Sequence, residues 1–401
     1  MNGLNLSDAS DIRLGSNTIT ALYYGSTLLW PSKRDYSKEY LTIEALSDAT
    51  VLFYKNSDKI SRTIQYSKDK TNWTSVNFNI FENAPSVNIT KGEKLYLKGN
   101  NSSYCIDYPD HKYCAINISE GVGNIYGNIM SLIYGDNFYG QTVLDTPYSF
   151  VRLFNPAYYN DIIDASNLIL PATTLSEYCY TELFRKCKRL TVGPKLPATT
   201  LSTRCYSHMF DGCKSLTSAP ELQATTLAIN CYASMFRDCT SLISAPELPA
   251  TTLADYCYQY MFYGCTSLTT APELPATTLQ PNCYAAMFRN CTSLISAPEL
   301  PVTTLSTGCY WYMFGGCASL TTAPELPATT LESSCYQYMF DNCYNLNYIK
   351  CLATNNISVN TCLDWTNGVA STGTFIKSAS ATDWKTGTSG IPSGWTVQDA
   401  S

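Results

Sequence analysis

Charged residues are scarce in this 401-residue chain, and histidine is almost absent. Asp, Glu, Lys and Arg make up 14% of the residues, the formal net charge is −6, and the only histidines are His111 and His208. Nucleic-acid-binding surfaces need clustered Lys and Arg, so this balance argues against a nucleic-acid partner. The two histidines fall in different predicted domains, and neither has the sequence context of a Ser or Cys nucleophile. We therefore expect a protein that is not an enzyme, with a carboxylate pair for glycoside cleavage left open.

Long apolar runs and metal-binding motifs are also missing. The chain has no run of 18 apolar residues, which predicts that no segment spans a membrane. It has no C-x-x-C pair and no Cys/His cluster, which predicts no zinc or other metal and no cofactor. The start, MNGLNLSDASDIRLGSNTIT, lacks the basic region and the apolar core of a secretory signal, so we expect no signal peptide there.

The chain does contain a 26-residue unit that runs seven times without a gap across residues 170–351. Its clearest copy, residues 248–273, reads LPATTLADYCYQYMFYGCTSLTTAPE. The copies begin at Leu170, Leu196, Leu222, Leu248, Leu274, Leu300 and Leu326. A fixed period of this length predicts a solenoid, in which each unit buries its apolar face against its neighbours.

The middle of each unit has helical spacing. Cys257, Met261 and Cys265 are spaced i, i+4, i+8, and Tyr258 with Phe262 forms a second i, i+4 pair. This pattern predicts a short helix with those side chains in the core. Glycine or asparagine then follows, which favours a left-handed helix end. The equivalent positions are Gly212, Gly264, Gly316, Asn290 and Asn342.

The rest of each unit predicts a short strand and a turn. Leu268 points inward among Thr residues that favour extended backbone, and Pro272 stops the strand because proline cannot donate to a ladder. Seven such units predict a solenoid with short parallel strands on one side and short helices on the other, within an α+β modular chain.

This unit resembles that of the BspA-like leucine-rich repeat family, which carries an A-F-x-x-C-x-x-L core followed by a proline. The matching residues in the fourth copy are Met261, Phe262, Cys265, Leu268 and Pro272. The first copy departs from the pattern, with Leu183 for Met and Lys195 for Glu. The resemblance covers residues 170–351 and implies extracellular or surface recognition rather than catalysis.

Fourteen of the eighteen cysteines fall into two ladders, one residue of each ladder in every copy. The first ladder is Cys179, Cys205, Cys231, Cys257, Cys283, Cys309 and Cys335. The second is Cys187, Cys213, Cys239, Cys265, Cys291, Cys317 and Cys343. On a helix the two cysteines of one copy would be about 12 Å apart, too far for a disulfide, so we interpret them as buried free thiols. Bridges between Cys105 and Cys114, or between Cys351 and Cys362, stay open in an oxidising compartment.

The flanking regions predict further modules. Residues 32–142 contain alternating segments such as ATVLFY and KLYLKGN between turn residues, which predicts an Ig-like β-sandwich. Residues 143–169 look like a degenerate repeat that caps the solenoid, so that the solenoid spans 143–351. Residues 352–401 would cap its other end. The tryptophans expected to cover that end are Trp365, Trp384 and Trp395.

The N-terminal segment, residues 1–31, predicts short strands around glycine turns. Its ALYYGSTLLWP stretch resembles a segment common at the ends of phage tail and fibre proteins. The resemblance implies attachment to a virion through Tyr23, Tyr24 and Trp30. The alternative is an edge hairpin packed on the next domain.

Two rows of side chains are candidates for binding. Tyr260, Trp311, Tyr312 and Tyr338 recur at or near multiples of 26 at positions that vary among the copies, and such aromatics bind sugar rings or protein partners. The second row is Glu221, Glu247, Glu273, Glu299 and Glu325. Because parallel neighbours lie about 4.8 Å apart, these charges should be solvated at a turn, or else attract a cation or a basic partner.

The leading hypothesis is a non-enzymatic phage virion protein, of the tail-fibre or head-fibre type, whose solenoid binds a host-surface or mucosal glycan or protein. Residues 1–31 would contact other virion proteins, and a homo-oligomer is compatible with this role. The first alternative is a cell-surface adhesin of a gut bacterium, in the BspA-like family. The second is a carbohydrate-active enzyme with a β-sandwich module.

Overall fold

The computed structural model describes residues 35–107, 112–156 and 160–400, and the backbone of four short strands before them. β1 (Ile12–Leu14) pairs antiparallel with β2 (Asn17–Ile19). β3 (Leu22–Tyr24) pairs antiparallel with β4 (Thr27–Trp30). The strands agree with the extended segments predicted here. The side chains of Tyr23, Tyr24 and Trp30 lie outside the described part of the chain, as does His111.

Two sheets follow. Their strands are β5 (Leu41–Ala45), β6 (Ala49–Lys55), β7 (Thr63–Ser67), β8 (Thr74–Asn77), β9 (Asn79–Ile80), β10 (Ser86–Ile89), β11 (Lys94–Gly99), β12 (Cys105–Asp107), β13 (Lys112–Ser119) and β14 (Gly123–Asn128). One sheet has the order β10-β6-β13-β12, with β9 also on β6, and the other has the order β14-β5-β11-β7-β8. Phe53 of the first sheet and Ile43 of the second belong to one buried core. The Ig-like topology of this region stays a prediction.

Helices are few and short in the described residues. They are α1 (Ser131–Tyr134), α2 (Val359–Cys362) and three 3-10 turns at Tyr36–Lys38, Phe81–Asn83 and Gly135–Asn137. The remaining strands are β15 (Val143–Leu144), β16 (Leu168–Ile169), β17 (Thr174–Leu175), β18 (Tyr348–Cys351), β19 (Thr374–Lys377) and β20 (Thr396–Asp399). β16 pairs in parallel with β14, so the second sheet continues into the solenoid without a break in hydrogen bonding.

The solenoid predicted from the 26-residue period is confirmed. Parallel bridges join residues 26 apart, as in the series Val192, Ser218, Ser244, Thr270 and Ser296. The coils continue past the seventh repeat, where β18, β19 and β20 form a parallel sheet. Below, coils 1 to 7 denote the seven copies in chain order.

The short helices predicted in each repeat are wrong. In residues 254–265 the chain makes overlapping turns instead: Gln259 donates its N–H to the carbonyl of Tyr256 and Met261 to that of Tyr258, three residues back. The N–H groups between these donors bond to the next coil: the Tyr258 N–H donates to the carbonyl of Cys283 in coil 5 at 3.0 Å. Every fourth residue is left-handed, with φ of 56° at Tyr260 and 71° at Gly264.

These turns bury the residues that the helical pattern placed inside. Cys257, Met261 and Cys265 are fully buried, because a turn that repeats every four residues has nearly the spacing of a 3.6-residue helix. What the pattern could not reveal is that half of the N–H groups pair with the next coil. The core positions were therefore correct and the backbone conformation was not.

The interior consists of stacked ladders. The Tyr258 and Phe262 ladders run through the coils with ring centroids 5.6–6.3 Å apart. All eighteen cysteines are buried and free, which confirms the free thiols of the ladders. The helical distance used to predict this does not apply, because no helix is present. Cys105 and Cys114 belong to separate core clusters, and they do not bond.

Candidate functional site

The outer side of the turns carries the predicted aromatic row. Tyr260, Tyr312 and Tyr338 occupy the same position in coils 4, 6 and 7, and Trp311 precedes Tyr312. All four are half-buried. The backbone at this position is left-handed whatever the residue, with φ between 52° and 57° at the three tyrosines. The turn geometry thus fixes where these side chains leave the coil. We call this outer side of the turns, residues 178–186 and their equivalents in each coil, the turn face.

A second left-handed position alternates between glycine and a short polar side chain. The series is Gly212, Asp238, Gly264, Asn290, Gly316, Asn342 and Gly368. A Cβ at Gly264 would collide with the carboxylate of Asp238, and one at Gly316 would collide with the amide of Asn290. Gly264 and Gly316 therefore leave room for the side chain of the preceding coil, whereas a Cβ at Gly212 would be 3.5 Å from Lys186, an ordinary contact. The sequence indicated the left-handed positions. The contact between Gly264 or Gly316 and the Asp or Asn of the preceding coil, which we call the interlock, could be predicted only once the stacking of the coils was known.

Five side chains, one from each of coils 3 to 7, form a continuous stack on the turn face. The members in order are Arg237, Tyr263, Arg289, Tyr312 and Tyr338, and we call them the arginine–tyrosine stack. The guanidinium of Arg237 lies 5.0 Å from the Tyr263 ring centroid. That of Arg289 lies 5.9 Å from Tyr263 and 3.9 Å from Tyr312. The rings of Tyr312 and Tyr338 are 4.3 Å apart and nearly parallel.

The structure brings together most of the predicted row. Trp311 packs edge-on against Tyr312 at 4.7 Å and 88°. Tyr260 packs edge-on against Tyr263 at 5.9 Å and 70°, and so joins the row through the stack. Tyr312 has Arg289 on one face and Tyr338 near the other, so a sugar ring cannot stack on it without displacing a neighbour. Trp311 is half-buried and contacts Tyr312 edge-on, so its indole lies beside the stack and not within it.

Sequence analysis missed Arg237, Tyr263 and Arg289. They lie three residues after the Tyr260 position, where the seven copies read Arg185, Asp211, Arg237, Tyr263, Arg289, Gly315 and Asp341. The available signal was the recurrence of arginine in alternate copies, at Arg185, Arg237 and Arg289. Its meaning depended on knowing that this position also faces outward.

The charges at the two ends of the stack differ. Arg237 lies 3.5 Å from the carboxylate of Asp238, whereas Arg289 has no carboxylate partner among the described residues. At the other end, Asp341 accepts hydrogen bonds from Asn342 and Asn367. Burial raises the pKa of the Tyr312 hydroxyl, and the neighbouring Arg289 opposes that rise. The stack thus has an unpaired cation at its middle member, Arg289, and a carboxylate, Asp341, beside its C-terminal end.

In the N-terminal part of the turn face, the charged side chains pair with one another. Glu182, only 2% exposed, stands at the Tyr260 position of coil 1 and pairs with Arg152 and Arg185 at 2.8 Å each. Burial opposes ionisation of Glu182, yet the two arginines outweigh it and lower its pKa. Arg185 also pairs with Asp211 at 3.0 Å. The Nδ1 atom of His208 lies 3.0 Å from the Asp211 carboxylate, so His208 belongs to this network.

The glutamate row lies on a different side of the coils. Glu221, Glu247, Glu273, Glu299 and Glu325 are exposed, as predicted. Lys350 neutralises Glu325 at 3.0 Å, and the other four have no basic partner in the described chain. Hollows of about 400–540 Å³ separate successive coils here, lined by glutamates and prolines. Because proline has no backbone N–H, it cannot donate a hydrogen bond that would join one coil to the next at these positions.

No protein-family model matches the chain, and neither a curated protein nor a solved structure is found to be similar to it. The BspA-like and phage resemblances therefore stay predictions. Among the described residues, no three His, Cys, Asp or Glu side chains are grouped as metal ligands. The helices of the described ranges are too short to cross a bilayer.

Proposed function

We propose that the protein is a non-enzymatic recognition protein that binds a host-surface or mucosal ligand through the C-terminal half of its turn face. One observation supports this most strongly. In coils whose interior hardly varies, half-buried aromatic side chains and an arginine without a carboxylate partner gather on an outer side that varies from copy to copy. Large aromatic side chains and arginine are the residues that contribute most at recognition surfaces.

The length of the surface also supports recognition of an elongated ligand. The stack spans five coils, and four spacings of about 4.8 Å amount to roughly 19 Å. A linear glycan or an extended protein segment would contact several coils at once, and several weak contacts then add through avidity. A phage particle is the proposed setting, with residues 1–31 as the attachment to other virion proteins.

The test is binding of labelled protein to host cells and to a glycan array. We expect Trp311→Ala combined with Tyr312→Ala to abolish binding and to leave the melting temperature within a few degrees. The matched control is Tyr139→Ala, which removes a tyrosine that is 60% exposed in the two-sheet region. Unchanged binding by the double variant would refute the proposal, and cleavage of the bound glycan would favour the enzyme hypothesis instead.

A further inference from the structure

The guanidinium of Arg289 is held between two rings, and it makes no hydrogen bond or ion pair with the described residues. Its guanidinium lies 3.9 Å from the Tyr312 centroid and 5.9 Å from that of Tyr263. Such contacts fix the position of the charge and leave the N–H donors unused. A guanidinium has five N–H donors in one plane. None of them has a hydrogen-bond acceptor among the described residues of the chain.

The other arginines of the turn face show what Arg289 lacks. Arg152 and Arg185 donate to the carboxylate of Glu182 at 3.0 and 2.8 Å. Arg237 lies beside Asp238. The first two are neutralised by a buried carboxylate, and Arg237 has an exposed carboxylate 3.5 Å away. Arg289 is half-buried, stacked and without an anion, which is the state of a donor arranged for an acceptor on a ligand.

We propose that the ligand of the turn face is an acidic glycan, and that Arg289 binds its carboxylate or sulfate group. This rests on the proposed function and names the ligand class for the same surface. A charge-assisted hydrogen bond to a planar guanidinium fork is about twice as strong as a neutral one, and it selects bidentate anions. Trp311, one coil further on, provides the aromatic surface for a neighbouring sugar ring.

The charges also orient the ligand. Asp341 lies in coil 7, and Asp364 lies in the coil after it, where it accepts a hydrogen bond from Thr388. Both carboxylates act on the Tyr312 hydroxyl and oppose Arg289 there. An anionic group placed at that end would be repelled. The acidic sugar therefore binds over coil 5, and uncharged sugars extend over Trp311 and Tyr338.

The experiment measures binding of the full chain to three soluble polysaccharides by calorimetry. Polygalacturonate presents carboxylates, dextran sulfate presents sulfates, and dextran is neutral. Poly-glutamate is the fourth probe and tests an acidic protein as the alternative partner. The variants are Arg289→Gln, which removes the charge, and Arg289→Lys, which keeps the charge without the fork. Lys214→Gln removes an exposed charge in coil 2 and serves as the control.

We expect the parent to prefer one acidic polysaccharide over dextran by at least tenfold and to lose affinity as salt rises. Arg289→Gln should remove that preference, Arg289→Lys should retain part of it, and Lys214→Gln should bind as the parent does. The preferred polyanion identifies carboxylate or sulfate as the recognised group.

Two results overturn the acidic-glycan proposal. The first is a parent protein that prefers neither acidic polysaccharide over dextran, including one that binds only poly-glutamate, and this result needs no variant. The second is an Arg289→Gln protein that keeps the full preference. If the Trp311 and Tyr312 double variant still loses cell binding in these cases, the turn face remains the binding surface and only its ligand class is wrong. If that variant binds normally, the proposed function fails as well.

Discussion

The Cys265 thiol donates a hydrogen bond to the main-chain carbonyl of Phe236 in the preceding coil, with Sγ 3.1 Å from the oxygen. The same contact recurs at Cys187, Cys213, Cys239, Cys291, Cys317 and Cys343. Burial raises the pKa of the Cys265 thiol, which keeps it protonated and able to donate. The second cysteine ladder is therefore a hydrogen-bonded element, whereas the thiol of Cys257 in the first ladder has no carbonyl acceptor among the described residues.

Cys257 and Cys265 should respond differently to substitution by serine. Cys257→Ser places an unpaired hydroxyl in the core, which typically costs about 1–3 kcal/mol. Cys265→Ser places a hydroxyl beside the Phe236 carbonyl, so the lost packing is offset by a hydrogen bond of about 1 kcal/mol. Urea unfolding should show Cys265→Ser to be the more stable variant. Equal losses would mean that the thiol contact contributes nothing.

All thiols should be unpaired and protected. Alkylation of the unfolded, unreduced protein should label all eighteen cysteines, because every one is free. Alkylation of the native protein should label almost none, since all are buried. Mass spectrometry gives both counts. A disulfide between Cys105 and Cys114, or between Cys351 and Cys362, would contradict the structure at that site.

The buried carboxylate of Glu182 should make stability depend on pH. Its pKa is lowered in the folded chain, so its contribution is complete above the ordinary value of 4.5 and is lost as the pH falls through the lower folded value. Glu182→Gln breaks the pairs with Arg152 and Arg185 and should cost on the order of 3 kcal/mol at pH 7.

The difference in melting temperature between the parent and Glu182→Gln should shrink as the pH falls below 4.5, the ordinary pKa of a glutamate. Glu247→Gln is the matched control, since Glu247 is exposed and has no basic partner in the described chain. It should change stability by less than about 0.5 kcal/mol. If the difference in melting temperature between the parent and Glu182→Gln stayed constant down to strongly acidic pH, the ion pairs of Glu182 could not explain it.

The contribution of the interlock on the turn face to stability can be measured by comparing alanine substitutions at two glycines. Gly316→Ala would force a Cβ into the amide of Asn290 at a φ of 76°. Gly140→Ala has a similar φ of 81°, and a Cβ there would meet no atom within 4 Å. The control should therefore show only the left-handed penalty of about 1–2 kcal/mol. Gly316→Ala should be clearly worse in thermal unfolding, and equal losses would argue against the interlock.

The core was predictable from sequence, and the turn face was predictable in part. Cys257, Met261 and Cys265 repeat at an inward spacing, and burial depends on that spacing alone. The conformation depends on where the N–H groups pair, and the Tyr258 N–H pairs with another coil, which local spacing cannot encode. Tyr260 was found because tyrosine recurs at its position in coils 6 and 7, but Arg289 was missed because arginine recurs at its position only in alternate coils.

If a ligand covers the C-terminal half of the turn face, hydroxyl-radical footprinting of the cell-bound protein will reveal it. Trp311 and Tyr338 are half-buried in the free chain, whereas Tyr139 is 60% exposed and precedes the first coil in the sequence. Binding should protect Trp311 and Tyr338 from oxidation and leave the oxidation of Tyr139 unchanged. Unchanged oxidation of Trp311 and Tyr338, with protection along the glutamate row or in the two sheets, would contradict it.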